Sequence, residues 1–368
     1  MLLSTNVLER ENEKVQVPLK KEGTEKKSGR IDWVDALKFI GIFFIYVAHF
    51  VENSGKLCLY AYAFHVPLFF FIAGFFALKH KEDSFWKYGW HKVKTLLLPY
   101  FFFGFLTIAV LTLQANYLPI SFKEVFSDLL LGMRNRMFAS PLWFFPCLFL
   151  VEVFFEGMLK IFRNKYFVLT ACVILFLAAE QFFYQDYVVL PRLWFSADTA
   201  LYYLLYYAIG AVSFEKISKA SFSKEKPWKK VLFSGLFLAT ALIACMVFFE
   251  KEAVLKNIFL AFPLGDALYE VFVALSLILF HIVIAKQLTK FPLVCEIGRN
   301  TLWLCGNELV MKTVLPVLLS VFGLHLSLQT PLHTVLYSFI LLVIAVKTVI
   351  PVERKLIGNL FDSRIKHK

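Results

Sequence analysis

The chain has 368 residues, of which 59% are hydrophobic and only 18% are charged, and its formal net charge is +12 at pH 7. Soluble domains are about half apolar and about a quarter charged, so this composition excludes a soluble multidomain protein and indicates a polytopic membrane protein. The basic excess would suit either a nucleic-acid partner or the cytoplasmic face of a membrane, and the positions of the charges decide between them.

The chain begins with a polar stretch, residues 1–32, that has mixed charge and no helical periodicity, which predicts a disordered cytoplasmic tail. Residues 33–352 then form one predicted membrane domain, and residues 353–368 a basic cytoplasmic tail. The predicted fold is an all-α transmembrane bundle of about ten spans, since ten apolar stretches are long enough, or nearly so, to cross about 30 Å of hydrocarbon. These spans are 33–51, 60–78, 95–113, 142–159, 166–182, 198–213, 231–249, 265–285, 301–322 and 332–352.

The basic residues give the orientation of these spans. With the N-terminus inside, most of the 39 Lys and Arg residues fall in segments that face the cytoplasm, as the positive-inside rule requires. We therefore expect both termini to be cytoplasmic. Topology and attraction to anionic lipid headgroups explain most of the basic charge, so membrane lipids are expected partners and nucleic acid is not.

The first predicted span carries two polar residues that are costly in lipid, Lys38 and His49. They are eleven residues apart, so they project from nearly the same helix face, about 16 Å apart along the axis. This face suits a long ligand with an anionic head inside and a reactive tail near the outer end. The alternatives are a Lys38 that snorkels to the inner interface and a His49 that only bonds a neighbouring helix.

The second predicted span places His65 at a depth similar to that of His49. Imidazole titrates near neutrality and serves as a general base, so the two histidines form a candidate proton-transfer centre. Hydrogen bonding across helices is the alternative for both. We expect no metal, because no Asp, Glu or Cys lies at ligand spacing from either histidine.

Residues 79–94, after the second span, are rich in lysine and aromatic residues and include Lys92 and Lys94. Such a segment is typical of an interfacial belt, and it is also a candidate docking patch for phosphates and a nucleotide ring. In the ninth span Glu308 and Lys312 are spaced for an intrahelical ion pair, which suits a structural role as well as a functional one.

One set of motifs begins in the first span, where ten residues separate Lys38 from His49, and continues in Phe-His-Val-Pro at 64–67 with Gly74. Later motifs are Leu-Pro-Tyr at 98–100, Leu-Trp-Phe-Phe-Pro at 142–146 and Gly-Arg-Asn-Thr-Leu at 298–302. Together these motifs resemble the acyltransferase family 3 of integral membrane O-acyltransferases, which acylate carbohydrates of bacterial surface polymers. Two departures are the lysine at 38, where arginine is commoner, and residues 304–308, where many relatives carry a histidine.

The resemblance implies a bacterial cytoplasmic membrane enzyme that moves an acyl group, most often acetyl from acetyl-CoA, to a hydroxyl of a surface polysaccharide or its lipid-linked precursor. Lys38, Lys92 and Lys94 would then bind the phosphates of acyl-CoA. His49 would act as general base or relay the acyl group, and His65 would orient groups or stabilise charge. Polysaccharide-assembly proteins are further candidate partners.

Two other classes of function are compatible with intramembrane charges. A transporter or exporter of a glycan or lipid-linked intermediate would line its path with such residues, and a non-catalytic member of a polysaccharide-assembly complex would use them for packing. The sequence has no internal repeat of the kind common in transporters, and the family-like motifs cluster in the first three spans. Both observations favour the enzyme.

Overall fold

Backbone amides in a lipid environment have no water to bond, so long apolar segments satisfy their own hydrogen bonds by forming helices. The computed structural model describes residues 30–80, 84–113, 122–183, 186–220, 227–324 and 328–361, and within these ranges all regular structure is helical. The all-α prediction is therefore confirmed. The predicted N-terminal tail lies, except for its last three residues, outside the described residues.

The main helices follow the predicted spans, with short additional helices between them. In chain order they are α1 (Asp32–Ala48), α2 (Lys56–Tyr62), α3 (His65–Gly74), α4 (Phe85–Lys92), α5 (Leu98–Leu113), α6 (Phe122–Leu131), α7 (Phe144–Phe162), α8 (Lys165–Phe182), α9 (Ala197–Lys219), α10 (Pro227–Phe248), α11 (Ala253–Leu260), α12 (Gly265–Leu288), α13 (Pro292–Arg299), α14 (Thr301–Val321), α15 (Pro331–Ile344) and α16 (Ile350–Phe361).

Among the described residues, eight helical segments are long and apolar enough to cross a membrane. Three of these segments each combine two consecutive helices of the chain, and they are Lys56–Gly74, Phe85–Leu113 and Pro331–Gly358. Of the ten predicted spans, the first corresponds to α1, which has only 17 residues, and the sixth to α9, which carries several polar side chains. The start of the predicted basic tail is helical, because residues 353–361 belong to α16. The cytoplasmic location of both termini stays a prediction.

Helix α1 is the centre of the bundle. It packs against α2, α3, α12, α13, α14 and α15, and most of its residues from Val34 to Ala48 are buried. A helix that carries a lysine and leads directly into a histidine is therefore surrounded by protein and not by lipid. This position lets its polar side chains serve an internal site.

Glycines allow the close approach of two helix pairs, α3 with α9 and α1 with α13. A Cβ atom at Gly74 of α3 would overlap the backbone oxygen of Tyr207 in α9, and one at Gly210 of α9 would overlap that of Phe71. Likewise a Cβ at Gly298 would overlap the backbone oxygen of Asp35 in α1. Small residues at helix crossings let backbones touch, which is a main source of packing energy in membranes. Gly74 and Gly298 both belong to the family-like motifs, and their role here is packing.

Replacing Gly74 with alanine should lower the free energy of unfolding by about 1–3 kcal/mol, because the added methyl group forces α3 and α9 apart. Thermal unfolding of purified protein in mild detergent measures the change. Gly235→Ala is the matched control: this glycine lies in α10 with no atom near its Cβ position. That substitution should leave stability unchanged or raise it by about 0.5–1 kcal/mol. Equal melting of the two variants would contradict the packing role of Gly74.

Candidate active site

A cavity of about 640 Å³ lies between α1, α3, α7 and α14. This volume is within the usual range of small-ligand pockets, about 300–1,000 Å³. Its wall is mostly apolar and carries a few polar groups at its two ends. Such a lining excludes water along the middle and fixes a ligand by its ends.

One face of α1 runs along the cavity. Lys38, Ile42, Ile45 and His49 all line it, at the i, i+4, i+7 and i+11 positions of one helical stripe. The prediction that Lys38 and His49 share a face is confirmed. Eleven residues of helix rise by about 16 Å, so the cavity connects an ammonium group at one end with an imidazole at the other.

His65 lies at the same end of the cavity as His49, on the antiparallel helix α3. The predicted second span is broken here, because Pro67 has no N–H and its ring would clash with the carbonyl of Ala63 in a continuous helix. His65 thus becomes the first residue of α3, and its Nδ1–H donates to the backbone oxygen of Ala61 at 2.7 Å. This bond fixes the ring and leaves Nε2 with the lone pair in the neutral form.

His49 follows the last residue of α1, and its Nδ1 lies 3.2 Å from Oε1 of Glu308 in α14. The same carboxylate forms an ion pair with Lys312 one helical turn later. Lys312 Nζ also donates to the backbone oxygen of Tyr46, at 3.0 Å. Glu308 is therefore held by Lys312 and in turn orients the imidazole, so that Nδ1–H faces the carboxylate and Nε2 can accept a proton.

The other end of the cavity is a small cluster of charges. Asp35 lies 3.9 Å from Lys38 Nζ and 3.7 Å from Nε of Arg299. Lys38 Nζ is also 5.7 Å from the centre of the Phe76 ring, which lines the same end. Two cations thus flank the carboxylate of Asp35, and the ammonium group of Lys38 on the cavity wall could contact an anionic head group. Arg299 is held near Lys38 by the close approach at Gly298.

Lys92 and Lys94 lie outside the cavity wall. Lys92 Nζ is 2.9 Å from Glu152 of α7, and Lys94 Nζ lies 5.6 Å from the centre of the Trp90 ring. Lys92 is the last residue of the short helix α4, and Lys94 lies in the segment that joins α4 to α5. Their predicted role in binding the donor stays a prediction, and a donor could reach them only outside the cavity.

Two polar residues of the site, Glu308 and Arg134, are not identified as such by the sequence patterns. Glu308 was identified as a partner of Lys312 alone, whereas it also contacts His49. Arg134 lies in a segment assigned to an outer loop, and it lines the cavity beside Trp143. A signal for Arg134 existed, because the positive-inside rule disfavours arginine on that side. Asn307 points elsewhere and donates to Glu353 of α16 at 2.7 Å.

Within the described ranges, no three His, Cys, Asp or Glu side chains converge as the ligands of a metal ion would. In a comparison with known families, the family model of the acyltransferase domain, family 3, aligns with residues 31–349. This range holds α1 to α15, including all residues of the cavity wall. No curated protein and no solved structure matches the chain.

Proposed function

Because the chain belongs to this family and is thus a membrane acyltransferase, we propose that it transfers an acetyl group from acetyl-CoA to a hydroxyl of a cell-surface polysaccharide or its lipid-linked precursor. The proposal places it in a bacterial cytoplasmic membrane, where polysaccharide-assembly proteins would supply or receive the glycan. The main support for this proposal is that one cavity joins Lys38 to the His49–Glu308 pair.

The donor would enter at the Lys38 end. Its phosphates are polyanionic, and the ammonium group of Lys38, in its cluster with Arg299 and Asp35, supplies the complementary charge. The pantetheine arm is long, thin and largely neutral, which matches an apolar channel about 16 Å long. The thioester would then lie beside His49, at the end where the acceptor must arrive. Lys92 and Lys94 would contact parts of the nucleotide that stay outside the cavity.

The acceptor hydroxyl would be activated by His49. Nε2 takes the hydroxyl proton while the oxygen attacks the thioester carbonyl, and Glu308 stabilises the resulting imidazolium through Nδ1–H. The carbon–sulfur bond then breaks, the proton passes from Nε2 to the coenzyme A sulfur, and the O-acetyl ester leaves. His65 would orient the acceptor or stabilise charge from the opposite wall.

A transfer assay with the purified protein in lipid nanodiscs tests this proposal. Radiolabelled acetyl-CoA should lose its acetyl group to an added glycan acceptor, or slowly to water when no acceptor is present. Label attached covalently to the protein without acceptor would show a covalent relay in place of direct transfer. Comparing the O-acetyl content of surface glycan from cells with and without the protein identifies the acceptor. Absence of any thioester cleavage would contradict the proposal.

Lys38→Ala should raise the KM for acetyl-CoA about 10-fold or more and leave kcat nearly unchanged, because a charge-assisted contact to a phosphate contributes about 1.5–3 kcal/mol to binding. Lys38→Arg should keep most of the affinity, since the family uses either cation. Steady-state kinetics with varied acetyl-CoA give both parameters. The difference in KM between Lys38→Ala and the wild type should be smaller for dephospho-CoA thioesters, which lack one phosphate group. An unchanged KM in Lys38→Ala would remove Lys38 from donor binding.

A further inference from the structure

Arg134 is held rigidly at the His49 end of the cavity. Its backbone N–H donates to Ser196 Oγ at 3.1 Å, and its Nη1 lies 3.1 Å from the backbone oxygen of Val188 and 3.4 Å from the Tyr203 hydroxyl. The guanidinium carbon lies 4.7 Å from the centre of the Trp143 ring. These contacts hold the guanidinium by one edge and one face, although Arg134 lies in the irregular segment between α6 and α7.

Within the described part of the chain, no carboxylate lies at ion-pair distance from Arg134. Other cations of this bundle do have one: Arg136, two residues later, pairs with Asp128 at 2.7 Å, and Lys92 pairs with Glu152. A guanidinium on the wall of an apolar cavity is costly without a counter-charge. A ligand that supplies the counter-charge would recover that cost.

Resting on the proposed function, we propose that Arg134 binds an anionic group of the acceptor, a carboxylate or a phosphate near the hydroxyl that is acetylated. The donor cannot supply this anion, because its phosphates belong at the Lys38 end, about 16 Å away along α1. Both side-chain hydrogen bonds of Arg134 to described residues come from Nη1. The remaining edge of the planar fork can therefore take two oxygens of one anion.

The neighbouring residues suit a charged sugar. Tyr62 and His65 line the same end of the cavity, and their rings are 5.2 Å apart. Together with Trp143 they give aromatic surface for the apolar face of a pyranose, while Arg134 holds its anionic substituent. An acceptor fixed at these points would present its hydroxyl to His49. Arg134 thus determines which acceptors bind, and His49 carries out the transfer.

The test compares three acceptors in nanodiscs with acetyl-CoA: methyl glucuronide, glucose 1-phosphate and the neutral methyl glucoside. The wild-type protein should acetylate at least one anionic sugar with kcat/KM about 10- to 100-fold above that for the neutral one. The preferred sugar distinguishes a carboxylate from a phosphate. Arg134→Gln should raise the KM for the anionic sugar and so remove the preference. Arg134→Lys should restore part of it. Arg136→Gln is the matched control and should keep it.

Three results would overturn the acceptor proposal. The first is a wild-type protein that treats the three sugars alike, or cleaves acetyl-CoA and acetylates none of them. The second is an equal loss for all three sugars in Arg134→Gln, mainly in kcat, which would assign the guanidinium to the carbonyl oxygen of the thioester. The third is an Arg134→Gln variant that keeps the full preference for the anionic sugar over the neutral one. Absence of thioester cleavage by the wild type is different, because it contradicts the proposed acyl transfer itself.

Discussion

Replacing His49 with glutamine is expected to lower kcat for acetyl transfer by about 10²- to 10⁴-fold, the usual contribution of a general base. Glutamine keeps a polar group that can donate to Glu308, but it has no lone pair that accepts a proton as imidazole does. The KM for acetyl-CoA should change little, since the proposed phosphate site at Lys38 is about 16 Å away. Steady-state kinetics in nanodiscs, with acetyl-CoA and acceptor each varied, separate these effects.

A control is needed for the loss of any histidine from the bundle. His333 lies at the exposed start of α15, outside the cavity wall, so His333→Gln should retain wild-type rates. Both variants should also melt within a few degrees of the wild type, because glutamine has nearly the volume of histidine and can still donate to Glu308, and because His333 is exposed. If folded His49→Gln transfers acetyl groups at the wild-type rate, His49 is not the base.

The general architecture was predictable because hydropathy and helical periodicity are local properties. The stripe that joins Lys38 to His49 follows from a 3.6-residue repeat and needs no knowledge of packing. The irregular parts were not predictable in the same way. A continuous span over 60–78 was expected, whereas Pro67 breaks it and makes His65 the first residue of α3. Residues 93–97 and 345–349 form short π-helical segments. These segments likewise depend on contacts that a hydropathy profile does not contain.

The site was predictable only in part, because its key contact is distant in sequence. The spacing of Glu308 and Lys312 predicts their ion pair, since both lie on α14. The contact of Glu308 with His49 depends on how α14 packs against α1, and no local pattern encodes that. For the same reason Lys92 could not be placed from its charge alone. Its Glu152 partner belongs to α7, and the pair became visible only with the fold.

Replacing Glu308 with glutamine is expected to have two separable effects. It should destabilise the protein by about 3–5 kcal/mol, because Lys312, whose side chain is only 10% exposed, loses the carboxylate that compensates its charge. It should also lower kcat by about 10- to 100-fold, because the imidazole of His49 loses the group that orients it and stabilises its charged form. Thermal unfolding in detergent measures the first effect, and kinetics in nanodiscs measure the second.

The double variant Glu308→Gln/Lys312→Met distinguishes a positioning role of Glu308 from a purely structural one. Removing both charges replaces the ion pair by groups of similar volume, so most of the lost stability should return. The low kcat should remain, because His49 still lacks its carboxylate. In a His49→Gln background, Glu308→Gln should cost little further activity, since the two residues act as a unit. If the double variant regains both stability and kcat, Glu308 only neutralises Lys312, and His49 works without a carboxylate partner.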